Sequence, residues 1–214
     1  MELYFTRHGR TQWNQEARFQ GRDGDSPLLP ESYLAIEALG ERCRALSFEA
    51  VYASPLKRAR DTAAGIVAYQ DPRPPIIYDD GLREIGMGQL EGQLIAEARK
   101  LYQPELDALR HRPDRFNPER FGGEDYQAML SRSLSVIRRA CANAEKGPLL
   151  FVSHGVTLTG AIQTLVGKPL SDVRKMGGLE NNTLSQVTID ADGKATLVLW
   201  NDASHLRMIS QKSR

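Results

Sequence analysis

The sequence predicts an α/β fold, and three observations carry that expectation. Short β-prone runs alternate with stretches of helical periodicity through most of the 214 residues. The run "PLLFVSH" is apolar almost without a break, which suits the middle of a sheet covered on both faces. Near the chain end, "NTLSQVTID" and "ATLVLWN" are joined by "ADGK", with Asp192-Gly193 in position for a hairpin turn. The expected architecture is a three-layer α/β/α sandwich with a mostly parallel central sheet. Residues 1–214 are read as a single domain with a helical lid insertion at about 92–123.

The elements follow in order. "LYFT" is the first strand. "ESYLAIEALGERCRALS" sets Leu34, Ala38, Cys43 and Leu46 near helical spacing and predicts an amphipathic helix. "EAVYAS" is a second strand, stopped at Ser54-Pro55. "LKRARDTAAGIVAYQ" is a helix beginning beside that stop, "DPRPP" a stiff loop and "IIYDD" a third strand. "LREIGMGQLEGQ" is glycine-rich and predicts a loop, with a helix following over 93–110. "HRPDRFNPERFGG" is charged, proline-rich and poor in apolar residues, so it predicts a surface excursion rather than core. "EDYQAMLSRSLSVIRRACANAEKG" is a long helix closed by Gly147 and Pro148. After "PLLFVSH", a further helix starts at Gly155.

Composition narrows the function classes. Lys and Arg total 28 against 27 Asp and Glu, a net charge of +1, which gives no support to nucleic-acid binding or a polybasic membrane surface. Any cationic site must be local. The two cysteines, Cys43 and Cys141, form no C-x-x-C pair and read as buried thiols. "MELYFTRHGR" lacks the basic and apolar regions of a signal peptide, and no apolar run approaches the ~20 residues of a membrane span. A soluble, cytoplasmic protein is expected.

In parallel sheets ligands bind outside the carboxyl ends of the strands, so whatever follows these strands should converge. After "LYFT" come Arg7 and His8. After "EAVYAS" come Lys57, Arg58 and Arg60. After "PLLFVS" come His154 and Gly155, and the loop after "IIYDD" supplies Glu84. A phosphoryl group needs such a set. Guanidinium forks match its oxygens, a helix N-terminus adds N–H donors, a carboxyl serves as acid and base, and a neutral imidazole can attack phosphorus. Taken singly, His8 reads as a structural histidine and Arg58 as part of a solvated helix face. The set is what points to chemistry.

The same residues carry a family resemblance. "RHGRTQWN" resembles the RHG-x-T-x-W-N signature of the histidine phosphatase superfamily, which includes the cofactor-dependent phosphoglycerate mutases. "RFQGRDGDSPL", "VYASPLKRARDTA", "LREIGMGQLEG", "FGGEDYQAMLSR", "FVSHGVTLTGAI" and "WNDASHL" resemble further segments of that family, so nearly the whole chain is covered. The resemblance implies that His8 is the nucleophile, that Arg7, Arg58 and His154 clamp the phosphoryl oxygens, and that Glu84 donates a proton and then activates water. It implies that Asn14, Gln20, Gly21 and Gly155 line or contact the phosphate. Arg60 matches a neighbour of the second arginine, with surface pairing on its helix the alternative. Thr11 and Trp13 fit the signature and can serve to pack the loop. No metal and no cofactor is expected: no clustered ligand spacing occurs, and His111 and His205 read as structural or exposed.

Several positions depart from the family pattern. Arg10 replaces the usual glutamate after RHG, facing either an anionic substrate or solvent. Ser32 replaces a frequent glycine at a helix start, Leu90 a frequent aromatic at one pocket wall, and "GGED" replaces GGES at a helix N-cap. No Arg-Arg pair occurs between Gly92 and Gly123, where the mutases hold phosphoglycerate. The reading is therefore a metal-independent phosphatase for a small phosphorylated metabolite. A phosphoglycerate mutase and a member that only binds a phospho-ligand are the alternatives. Lid cations are expected to be mostly solvated, and the substrate and oligomeric state stay open, a homodimer being one option.

Overall fold

The computed structural model describes residues 1–207. Six strands form one sheet in the order β3-β2-β4-β1-β5-β6. They are β1 (Glu2–Arg7), β2 (Ala50–Ala53), β3 (Ile76–Tyr78), β4 (Leu149–Ser153), β5 (Leu184–Ile189) and β6 (Ala195–Asp202). The first four pair in parallel, β5 runs antiparallel to β1, and β6 closes the predicted hairpin against β5. The helices are α1 (Gln12–Gln15), α2 (Pro30–Cys43), α3 (Lys57–Val67), α4 (Ile95–His111), α5 (Tyr126–Asn143) and α6 (Gly155–Leu165). The expected α/β architecture with a mostly parallel sheet is what the chain adopts. Among the described residues no helix is long and apolar enough to cross a membrane.

The period-2 alternation of the strands divides the core. Leu3, Phe5, Tyr52, Leu149 and Phe151 face α5 and α6, and Phe151 stacks on Phe5 at 5.2 Å and on Tyr52 at 5.5 Å. Tyr4, Val51, Ala53, Leu150 and Val152 face α2 and α3. β4 lies between β1 and β2 and is buried at every position, as its unbroken apolar run predicts.

Three sequence expectations need correction. In α2 the buried stripe is Ser32, Ile36, Leu39, Gly40 and Cys43, while Leu34 is exposed. The helix carries two apolar stripes, and close packing on α3 selects between them: Gly40 lies under Tyr69, and Ile36 lies over Gly65. The 111–123 segment is not simply a surface excursion. Phe116 and Phe121 are buried and pack on Tyr126 and Tyr102, with the charged residues between them turned outward. The helix predicted over 93–110 is interrupted at Tyr102, whose φ of −129° and ψ of 29° break the helical run two residues before Pro104. The long helix beginning at Tyr126 has Asp125 as its N-cap, accepting from the Ala128 amide at 2.7 Å, so the GGED variation caps as expected.

Candidate active site

The parallel strands end on one side of the sheet, and the chain turns there with polar residues. His8 follows β1 directly and is held through its backbone: its amide donates to Ser153 O at 3.0 Å, and its carbonyl accepts from Asn181 Nδ2 at 2.8 Å. Gly9 has no positive φ. A Cβ there would crowd Leu28, Ser32 and Ile36, so its role is close packing of the loop on α2. The Ser32 hydroxyl donates to Arg10 O at 2.6 Å, which ties the start of α2 to this loop; Ser32 thus does more than begin a helix.

The side chain of His8 is buried. Its Nδ1 lies 2.7 Å from Gly9 O, which can only accept, so that nitrogen carries the proton. Nε2 then holds the lone pair and accepts from Arg58 Nε at 3.2 Å. Burial, with the charges of Arg58 and Arg7, holds His8 well below the usual imidazole range, against the opposing Gly9 bond. The ring is neutral at pH 7 and its reactive nitrogen faces a cation.

Arg58, in the first turn of α3, is 1% exposed and fixed by a fork of acceptors: Gly24 O at 2.7 Å, Asp25 Oδ1 at 2.9 Å and Gly21 O at 3.0 Å. Those carbonyls are presented because Glu91 gathers the amides of the same loop. Its carboxylate accepts from Arg22 N and Asp23 N at 2.9 Å and from Gly24 N at 2.5 Å. Gly21, at φ 66°, leaves room for that carboxylate. Burial lowers the Arg58 guanidinium from its ordinary value, with Asp25 opposing, and a guanidinium so shifted stays charged.

His154, the residue before α6, stacks obliquely on His8 with ring centroids 5.1 Å apart. Its Nε2 lies 2.7 Å from Ser54 Oγ at the end of β2. Burial first, then the Arg58, His8 and Arg7 neighbours, push it well below its ordinary value. Arg7 donates to Leu179 O at 3.0 Å. Arg7 Nε and His154 Nδ1 are buried and find no hydrogen-bond partner among the described residues.

Glu84 caps α6. Oε2 accepts from Val156 N at 3.0 Å, and Oε1 accepts from Thr157 N at 2.9 Å. This modifies the expectation for the helix N-terminus, since two of its first-turn amides serve the carboxylate rather than a phosphate; Gly155 comes beside the Arg7 guanidinium instead. Arg132 of α5 holds the acid loop from behind. It donates to the carbonyls of Gly81, Arg83 and Glu84 and pairs with Glu124 at 2.7 Å.

Arg7, His8, Asn14, Gln20, Gly21, Arg58 and Glu84 line one cavity of about 230 Å³, and His154 reaches it through His8. Asn14 accepts from Thr11 in a capping box at α1, and Gln20 accepts from Ser26 Oγ at 3.2 Å. Arg60 does not join them: it is exposed and lies over the Tyr78 ring at 5.0 Å, the surface alternative. Leu90 is buried in the core and lines no part of the cavity. Sequence reasoning missed the remaining walls, which are Arg18, Phe19, Ile85, Met87, Ile95, Leu109 and Val156. It also missed the supports Asp25, Ser54, Glu91 and Arg132. No signal marked them, because apolar walls look like core and buried supports look like surface charge. Among the described residues no group of three or more His, Cys, Asp or Glu side chains is placed to hold a metal ion.

Comparison with known proteins gives the family. A protein named "Probable phosphoglycerate mutase GpmB" from Salmonella choleraesuis is 34% identical over 189 residues, covering 87% of this chain and 84% of its own. The solved structure of Bacillus stearothermophilus YhfR superposes with a TM-score of 0.88 at 30% identity, covering 96% of this chain and 98% of that one. A mycobacterial glucosyl-3-phosphoglycerate phosphatase shares the fold, with a TM-score of 0.84 at 24% identity over 94% and 99% of the two chains. The sequence model of the histidine phosphatase superfamily (branch 1) matches residues 3–203. The chain therefore belongs to that superfamily and is an enzyme that acts on phosphate.

Proposed function

We propose that the chain is a metal-independent phosphomonoesterase that hydrolyses a small phosphorylated metabolite through a phosphohistidine on His8. The observation that carries this reading is a buried neutral imidazole whose lone-pair nitrogen lies 3.2 Å from a fixed guanidinium, in a cavity that also holds Arg7 and Glu84.

In the first step His8 Nε2 attacks phosphorus, the P–O ester bond breaks, and the leaving oxygen takes a proton from Glu84. In the second, water attacks phosphorus, its proton returns to Glu84, and the P–N bond breaks, restoring neutral His8. Arg7 and Arg58 supply the charge that stabilises the equatorial oxygens, as metal ions do elsewhere. The buried Arg7 Nε and His154 Nδ1 fit further phosphoryl contacts. Thr157 suits both states of the acid. Its hydroxyl lies 2.9 Å from Glu84 Oε1 and 3.0 Å from Arg83 O, so its one proton can serve a carboxylate, or turn to Arg83 and accept from a carboxylic acid.

The test is turnover of p-nitrophenyl phosphate in chelator, followed by acid-labile labelling of the trapped protein. Label lost in His8→Ala supports the reading. Turnover abolished by chelator, or full activity in His8→Ala, overturns it. A bisphosphoglycerate-stimulated interconversion of phosphoglycerates that outruns phosphate release replaces it with a mutase.

A further inference from the structure

We infer that the cavity selects phosphomonoesters whose leaving group is a compact apolar alcohol, and discriminates against phosphorylated carboxylic acids. The inference rests on the phosphatase reading and adds the substrate class.

Beyond the phosphate-facing residues, the cavity is walled by six apolar side chains: Phe19, Ile85, Met87, Ile95, Leu109 and Val156. They come from separate parts of the chain: the loop after α1, the acid loop, both ends of α4, and the start of α6. A leaving group placed there meets hydrocarbon. Each methylene it buries gains about fourfold in binding.

Among the described residues the walls offer a second anionic group no unpaired cation. Apart from Arg7 and Arg58, the one cationic side chain among the described residues that lines the cavity is Arg18, and it is already engaged: Nε donates to Glu16 Oε2 at 2.6 Å and a terminal nitrogen to Gly92 O at 2.9 Å. The basic residues of the 92–123 segment look away from it. Arg99 pairs with Asp107, Lys100 with Glu97, Arg112 with Asp114 and Arg120 with Glu105, and Arg110 and Arg115 are exposed outside the lining. A substrate carboxylate would be desolvated against apolar walls, and the one cation it could reach there, Arg18, is already paired with Glu16. Volume sets the scale of the alcohol. At about 230 Å³ the cavity lies below the ~300–1,000 Å³ of drug-sized sites, enough for a phosphoryl group and roughly one ring.

The experiment compares kcat/KM for benzyl phosphate, glycerol phosphate, O-phosphoserine and 3-phosphoglycerate, all esters of alkyl alcohols. Benzyl phosphate is expected to exceed each of the others by at least about tenfold. Ile95 is half-buried at the first turn of α4, a place that tolerates a longer polar side chain. In Ile95→Arg the ratio of benzyl phosphate to 3-phosphoglycerate should narrow at least about fivefold, mainly through KM, as wall hydrocarbon is exchanged for a cation. Turnover of 3-phosphoglycerate or phosphoserine equal to that of benzyl phosphate overturns the inference and leaves the phosphatase reading standing. An unchanged ratio in Ile95→Arg removes the selectivity from this wall. Release from none of the esters overturns both readings.

Discussion

The two ends of the cavity are built by different rules. At the phosphate end every side chain is pinned by named hydrogen bonds: Arg58 to Gly21 O, Gly24 O and Asp25, His8 to Gly9 O, His154 to Ser54. The rest of the lining, Phe19, Ile85, Met87, Ile95, Leu109 and Val156, has apolar side chains that can be held only by packing. Directional bonds fix a geometry that charge development at phosphorus requires, and a small displacement there is costly. Packing fixes a shape and a polarity, which can change by a methylene at modest cost. Mutations at the first end should abolish the reaction, and mutations at the second should retune what is accepted.

The largest effect that sharpens this contrast is His8→Ala. It should lower kcat by at least about 10⁴-fold, as loss of a nucleophile does, while the thermal midpoint stays near that of the parent protein because the backbone anchors of residue 8 remain. Single-turnover phosphate release checks the first part and a melting curve the second. Next comes Arg58→Lys. Lysine keeps the charge but cannot reach three acceptors and His8 at once, so kcat/KM should fall by about 10²–10³-fold with little recovery from raised substrate concentration. A rise in KM alone, with kcat preserved, would show that the fork merely binds.

The contrast also governs what the sequence reveals. Residues at the phosphate end sit at strand termini, so chain position alone says where they lie: Arg7 closing β1, His8 after it, and His154 after β4. Wall residues carry no such address. Ile95 is indistinguishable in sequence from Leu106, which is core and lines no part of the cavity, and only the fold of the interrupted α4 decides. The same ambiguity misassigned the stripe of α2, where Leu34 and Ile36 are equally apolar and packing on Gly65 picks the second. Supports are hidden for another reason. Glu91 and Arg132 act on backbone amides and carbonyls distant in the chain, and a charged residue gives no sequence signal of that use.

A smaller effect tests the neutrality of the phosphate end. His8, His154 and the buried His205 all lie below the usual imidazole range in the folded protein, chiefly through burial. The unfolded chain, with imidazoles near 6.5, therefore binds more protons as pH falls below that value. Stability contributed by these groups is complete above about pH 6.5 and declines on acidification, by up to about 1.4 kcal/mol per imidazole per pH unit. Urea midpoints measured from pH 7.5 to 5.5 should fall over the lower half of that range. Midpoints that rise on acidification would mean that the imidazoles are charged in the folded state, and His8 could not then attack; a flat profile would mean that folding does not shift them.

The smallest expected effect concerns Arg10, whose place beside the nucleophile suggests a substrate contact. Its carbonyl is anchored, accepting from Leu29 N at 2.9 Å and Ser32 Oγ at 2.6 Å, but its side chain is exposed and does not line the cavity. A unit charge in water about 10 Å from a phosphate dianion is worth roughly 0.8 kcal/mol before screening. At 0.15 M salt the screening length is about 8 Å, and the remainder is on the order of 0.2 kcal/mol. Arg10→Ala should then lower kcat/KM by less than about twofold at 0.15 M salt. Near 0.01 M, where the screening length is about 30 Å, the loss should grow to about two- to threefold. The dependence on salt distinguishes the two roles, because a guanidinium in contact with substrate would lose far more on removal and respond far less to screening. A tenfold loss that persists at 0.15 M would move Arg10 from solvent to the phosphate end of the cavity.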